Sequence, residues 1–208
     1  MADPYNPLDK VNLGKSVVEA MLAQTPLPLA RVSAFDGAGI YAIYYFGSFE
    51  PYQAIALDPN GESAVPIYVG KAVPSGARRG GSLANNLSGR WLFNRISEHR
   101  DSIVAATNLQ VEDFSVRYLA VDDIWIPLGE TLMISTFKPL WNRLLDGFGN
   151  HDPGSGRYNG LRPLWDVLHP GRAWAEKCKP RPETREEIGR IVIEYLAATE
   201  AGKPKERP

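Results

Sequence analysis

Two stretches decide the fold: Gly39-Ile40-Tyr41-Ala42-Ile43-Tyr44-Tyr45-Phe46 and Pro66-Ile67-Tyr68-Val69-Gly70. The first is rich in aromatic and β-branched residues and is bounded by Gly39 and Gly47, so it reads as a strand buried on both faces. Alternation puts Tyr41, Ile43 and Tyr45 on one side of it. The second stretch reads as a strand ending at a glycine. Between them, Gln53 to Leu57 followed by Asp58-Pro59-Asn60-Gly61 suggests another strand and a turn, and hence an antiparallel meander. Phe114 to Val121 adds one more strand.

Outward from these strands the periodicity becomes helical. Leu13, Val17 and Met21, spaced by four, predict a helix within Leu8 to Gln24 that ends before Pro26. Leu92, Ile96 and Ile103 form one stripe of a helix between Asn86 and Ala105. A third helix is expected from Pro127 to Phe137, stopped by Pro139. A last one is expected from Pro182 to Ala198, with Ile188, Ile191, Val192 and Leu196 on its apolar side. The fold class is therefore α+β, a small antiparallel or mixed sheet of three to four strands flanked by helices, with an added N-terminal helix and a C-terminal helical region.

At 208 residues and 44% hydrophobic, the chain suits a single domain over 1–208. Within it we expect a core over 37–145, a basic loop insertion over 71–90 and a C-terminal extension over 146–208. Cys178 is the only cysteine, which excludes an internal disulfide and cysteine-rich zinc modules. The start carries no basic region followed by an apolar run, and no stretch approaches membrane-spanning length. A cytoplasmic protein with no membrane partner is expected. The net charge of −1 argues against non-specific coating of nucleic acid. Its distribution is uneven, with Lys71, Arg78, Arg79, Arg90, Arg95 and Arg100 opposed in that stretch only by Glu98. A neutral chain can thus carry one basic face.

Two phosphate-loop imitations fail on spacing. Gly14-Lys15-Ser16 has Asp9 where the upstream glycine is needed, and Gly154, Gly156 and Gly160 lack the flanking strand and helix. The glycine- and proline-rich excursion from Asp146 to Gly171 also contains Asn150, His151, Arg157 and Arg162.

Several polar residues stand where packing residues are expected. Glu130 shares a helical stripe with Met133, Ile134, Phe137 and Trp141, so its carboxylate needs a salt bridge, a proton or a cation, and a hard cation such as magnesium suits it. His99 lies within the stripe of Leu92, Ile96 and Ile103, with Arg95 one turn earlier on its flank. Each of these has an ordinary structural reading alone: a helix N-terminal charge, a core histidine, a snorkelling arginine, packed tyrosines. Together they offer a proton acceptor for water, a cation for a phosphate and a metal ligand, the needs of phosphodiester hydrolysis.

The ordered set Gly39-Ile40-Tyr41, Tyr68-Val69-Gly70, Arg95-x-x-x-His99, Glu130 and Asn142 resembles the signature of the GIY-YIG nuclease superfamily. Val69 replaces isoleucine, a change of one methylene that a strand core tolerates. The motifs are further apart than the family's short hairpin allows, and Val73 to Ser88 delays the helix. These insertions, with Phe137-Lys138-Pro139-Leu140-Trp141-Asn142, look most like the type II restriction endonuclease branch, over roughly Gly37 to Leu145.

The resemblance implies that Tyr41 is the general base or its relay, with His99 taking up its proton. Arg95 would contact the scissile phosphate, Tyr68 would orient phosphate or water, Glu130 would hold Mg2+ or Mn2+, and Asn142 would fix the site. A tyrosine base needs neighbouring positive charge, such as Arg95 or the metal, because its free pKa is about 10. The resemblance further implies a homodimer on double-stranded DNA, a partner methyltransferase, and CCGCGG as target. Lys71 would add a phosphate contact, and Arg78, Arg79, Arg90 or Arg157 would meet guanine or phosphate. The alternatives are a repair or homing nuclease of the same superfamily, a non-catalytic DNA-binding protein with this fold, and a small hydrolase acting on a nucleotide.

Overall fold

A computed structural model describes residues 6, 8–56, 65–74, 89–152, 154 and 158–198. Its centre is a four-stranded antiparallel sheet ordered β1-β4-β2-β3, with β1 Leu27–Pro28, β2 Gly39–Tyr45, β3 Tyr68–Ala72 and β4 Phe114–Ala120. Every residue of β2 is buried, as its uninterrupted apolar and aromatic run requires of a central strand. Tyr41, Ile43 and Tyr45 enter one core, while Ile40, Ala42 and Tyr44 enter the other.

The second of these cores is closed by α1 Lys10–Leu22 and α3 Ile126–Phe137 through Val18, Met21, Ile126 and Met133. Asp9 caps α1 by accepting a hydrogen bond from Val11 N at 2.8 Å. The first core is larger. It receives Leu92, Ile96 and Ile103 from α2 Trp91–Ala105, Trp141 from α4 Leu140–Arg143, Trp165 and Leu168 from α5 Leu164–Leu168, and Ile188, Val192 and Leu196 from α6 Arg185–Ala198. On α6, Ile191 stays exposed beside the buried Ile188, Gly189, Val192 and Leu196.

Two expectations are corrected. The strand expected over Gln53 to Leu57 is absent over its described part: Glu50–Tyr52 is a 3-10 turn with Pro51 inside it, and the chain keeps turning to Ile55. Pro51 and Tyr52 lie just before that segment: the proline lacks a ladder N–H and the Tyr52 side chain is drawn inward, and Gln53 to Ile55 continue their turn. Leu57 and the Asp58 to Gly61 turn lie outside the described residues. Consequently β2 pairs directly with β3, Tyr41 opposite Gly70 and Ile43 opposite Tyr68. Secondly, Trp141 does not continue the Glu130 stripe. Lys138 adopts a left-handed conformation (φ 47°) that ends α3, and Pro139 redirects the chain so that Trp141 enters the core on the other side of the sheet.

A buried polar network explains the inward pull on Tyr52. Asn108 Nδ2 donates to Leu168 O, so its Oδ1 accepts from His169 Nδ1–H at 3.1 Å. His169 Nε2 is then left to accept from the Tyr52 hydroxyl, which itself accepts from Trp141 Nε1–H at 2.9 Å. Burial pushes the His169 pKa well below the usual histidine value and the Tyr52 pKa well above the usual tyrosine value, so both groups stay neutral.

Candidate active site

The site lies at β3, an edge strand of the sheet. Cross-strand pairing sets Tyr41 opposite Gly70, and the tyrosine side chain lies over that glycine: a Cβ on Gly70 would be 2.3 Å from Tyr41 Oη. The glycine of the second motif is therefore the floor beneath the first motif's phenol. Tyr68, two residues earlier and on the same face, sets its ring 6.2 Å from that of Tyr41.

From α2, the buried His99 brings Nε2 to 2.6 Å from Tyr41 Oη. Its ring stacks on Phe148 with centroids 4.6 Å apart. Arg95, one turn before, is close enough to both phenols to lower their proton affinity. Its Nη1 donates to Glu98 Oε2 at 2.8 Å and to His151 Nε2, and its Nη2 donates to Gly149 O at 2.7 Å. Tyr41, Tyr68, Arg95 and His99 thus form one cluster.

The cluster's protonation state follows from burial. Desolvation, reinforced by Arg95, His151 and Arg172, holds the His99 pKa well below its usual value, so the imidazole is neutral. Desolvation first, and then Tyr68, hold the Tyr41 pKa well above 10, and Arg95 offsets only part of this. Of the two sources of positive charge expected for a tyrosine base, Arg95 or a metal, Arg95 by itself does not offset the burial of the phenol.

Glu130 approaches differently from the expectation. Its helix α3 packs on the sheet face opposite the phenols, and its carboxylate meets Lys71 of β3, Oε2 to Nζ at 2.6 Å. The contact is at the strand edge, where Glu130 is near enough to Tyr68 to raise that phenol's pKa, although burial is the larger cause. The Glu130 side chain is 18% exposed and that of Lys71 39%. Among the described residues there is no group of three or more His, Cys, Asp and Glu side chains able to hold a metal.

Asn142 clamps the outer edge of β3. Val69 N donates to its Oδ1 at 2.7 Å, and its Nδ2 donates to Val69 O at 2.8 Å. Both main-chain groups of an edge residue are thus satisfied by one side chain, which fixes the strand on either side at Tyr68 and Gly70. Arg90, at the start of α2, is exposed and stands 4.0 Å from Asp36. Arg78, Arg79 and Arg157 lie outside the described residues.

Sequence reasoning missed the segment that closes the site. Arg172 donates to Asp166 through Nε at 2.7 Å and Nη2 at 2.5 Å, and to the carbonyls of Gly147, Phe148 and Asn150. It lies between Trp165 and Trp174, 4.6 and 4.7 Å from their ring centres. The loop it grips supplies Phe148, Gly149 and His151 to the cluster. The available signal was an arginine within a tryptophan-rich segment.

Residues 33–196 match the family described as the Eco29kI GIY-YIG domain. The chain belongs to that family. It is therefore a member of the restriction-endonuclease branch of the GIY-YIG nucleases, and a nuclease acting on DNA. No curated protein matches the sequence. The GIY-YIG match continues past Leu145 and takes in the 147–151 loop, Asp166 and Arg172. Among the described residues, no helix of this nuclease is long and apolar enough to cross a membrane.

Proposed function

We propose that the protein is a type II restriction endonuclease that cuts both strands of a short GC-rich palindrome in double-stranded DNA, with CCGCGG as the first candidate. The observation that carries this reading is the buried hydrogen bond between Tyr41 and a neutral His99 beside the Arg95 guanidinium. It pairs a proton donor with an empty acceptor at a cation suited to phosphate.

In the reaction, a water oxygen attacks phosphorus. Its proton passes to Tyr41 Oη as the phenol proton moves to His99 Nε2, so no free phenolate accumulates despite the raised Tyr41 pKa. Arg95 donates to a non-bridging oxygen, and Tyr68 orients the attacking water or the phosphate. The bond from phosphorus to the 3′ oxygen breaks, that oxygen takes a proton from solvent, and His99 returns to solvent the proton it received, so the neutral pair is restored. One water is consumed, leaving 5′-phosphate and 3′-hydroxyl ends.

A single carboxylate at the strand edge fits Mg2+ or Mn2+, since Mg2+ keeps several waters and binds through one or two carboxylates plus substrate phosphates. Glu130 would hold the ion, which supplies positive charge at the leaving oxygen when bound. Asn142 acts through β3, by holding Tyr68 in place.

Two copies related by a two-fold axis would address the two strands of a palindrome, and a methyltransferase would protect host sites. Incubating the protein with plasmid and Mg2+, then sequencing the fragment ends, tests the whole reading. Discrete fragments with 5′-phosphate ends are expected, and chelation should stop the reaction. DNA that is bound but uncut, at every salt and metal concentration tried, would instead favour a non-catalytic DNA-binding protein.

A further inference from the structure

We propose that His151 is a second anion-binding group of this site, gripping a DNA phosphate together with Arg95, and that Glu98 holds the pair together in the free protein. The inference rests on the reading of Arg95 as a phosphate contact and deepens it. Arg95 Nη1, Glu98 Oε2 and His151 Nε2 lie within one triangle: the guanidinium donates to both partners, and the imidazole nitrogen is 3.5 Å from the carboxylate.

An arginine only donates, so His151 Nε2 accepts from Arg95 when unprotonated; when protonated, it can donate to Glu98 instead. The carboxylate thus occupies the place where an anionic oxygen can be reached by both Arg95 and His151. A phosphate oxygen has the same chemistry and carries more acceptors. Glu98 is a weak incumbent, because its side chain is 47% exposed and its attraction to Arg95 is screened by water and salt.

His151 itself is 61% exposed and open to a ligand. Its position is nonetheless built. Arg172 holds the carbonyls of Gly147, Phe148 and Asn150, and Gly149 O takes Arg95 Nη2. The same loop presses close to the site, since a Cβ on Gly149 would lie 2.7 Å from Tyr68 Oη.

Binding of a fluorescent duplex containing CCGCGG, measured by anisotropy in EDTA across a salt series, tests the proposal. His151→Ala should weaken binding about tenfold and reduce the slope of log K against log salt by about one. His151→Lys should return affinity to within about threefold of wild type, and Glu98→Gln should tighten binding, both by the same phosphate electrostatics. The position is exposed, so these variants should fold. If His151→Ala binds like wild type with an unchanged slope while Arg95→Ala is weakened, the proposal is overturned and the reading of Arg95 stands. If Arg95→Ala also binds like wild type, the phosphate assignment fails with it.

Discussion

Gly70→Ala puts the geometry of the site to its sharpest test. The new methyl would sit 2.3 Å from Tyr41 Oη and 2.5 Å from its Cζ, against an ordinary contact of 3.4 Å or more, so the phenol must retreat by about 1 Å. Tyr41 Oη holds His99 Nε2 at 2.6 Å, and His99 cannot follow freely because it is buried and stacked on Phe148. A displacement of about 1 Å in a positioned catalytic group costs roughly 100-fold in rate. Overpacking costs about 1–3 kcal/mol of stability, and the alanine's lower unfolded-state entropy returns about 0.5–1 kcal/mol. A folded protein with a small loss of stability and a large loss of cleavage is therefore expected. Single-turnover cleavage and denaturant unfolding of the same preparation measure the two effects. Gly39→Ala is the contrast: its Cβ would meet the Leu119 carbonyl oxygen at 2.0 Å, so the backbone must yield and folding itself should suffer. Cleavage by Gly70→Ala at the wild-type rate would refute the placement of Tyr41 against His99.

Three further outcomes follow from the same contacts. Glu130→Gln should abolish cutting while duplex binding stays near wild type, and wild-type cleavage rates in that variant would remove the metal assignment. Arg172→Ala leaves Asp166 buried without its partner, which should cost about 3–5 kcal/mol in denaturant unfolding; a loss under about 1 kcal/mol would show that the loop does not depend on it. For pH, His99 and His169 have folded-state pKa values well below the unfolded value of about 6.5, so the unfolded chain binds more protons once pH falls to that value. Their contribution is fully present above pH of about 6.5 and is lost as pH drops towards the folded values, by up to about 1.4 kcal/mol per pH unit for each histidine. Thermal unfolding of wild type and His169→Gln across that range should show the shallower slope in the variant, and equal slopes would contradict the neutral buried state.

What could be read from the sequence was what repeats locally. Apolar and aromatic residues fill β2 and the start of β3 and mark Tyr41 and Tyr68 as strand residues, and His99 stands out because it interrupts a period that Leu92, Ile96 and Ile103 define. What could not be read depended on distant partners or on one backbone angle. The Asn142 clamp joins residues 73 apart in the chain, and no local pattern marks it. The left-handed Lys138 turns Trp141 away from the stripe expected for Glu130, and α3, packed through Ile126 and Met133, brings the Glu130 carboxylate to the edge of β3 from the sheet face opposite the phenols. The strand expected at Gln53 failed because Tyr52 has partners in Trp141 and His169 that draw it into the core instead of a ladder.

The segment after Leu145 belongs to the same physical unit as the two tyrosine motifs. Phe148 stacks on His99 and removes water from it, and Gly149 O fixes one branch of Arg95. Both residues are presented by backbone carbonyls that Arg172 gathers, and the Arg172 charge is balanced by Asp166 between two indoles. The burial so achieved acts on both partners of the Tyr41–His99 bond, raising one pKa and lowering the other, so that the proton rests on oxygen while nitrogen stays empty. In the proposed mechanism, transferring it creates an imidazolium in a dry site, which a negative group alongside makes more favourable. A bound phosphate is such a group, and that mechanism would then tie the proton movement to the arrival of the substrate.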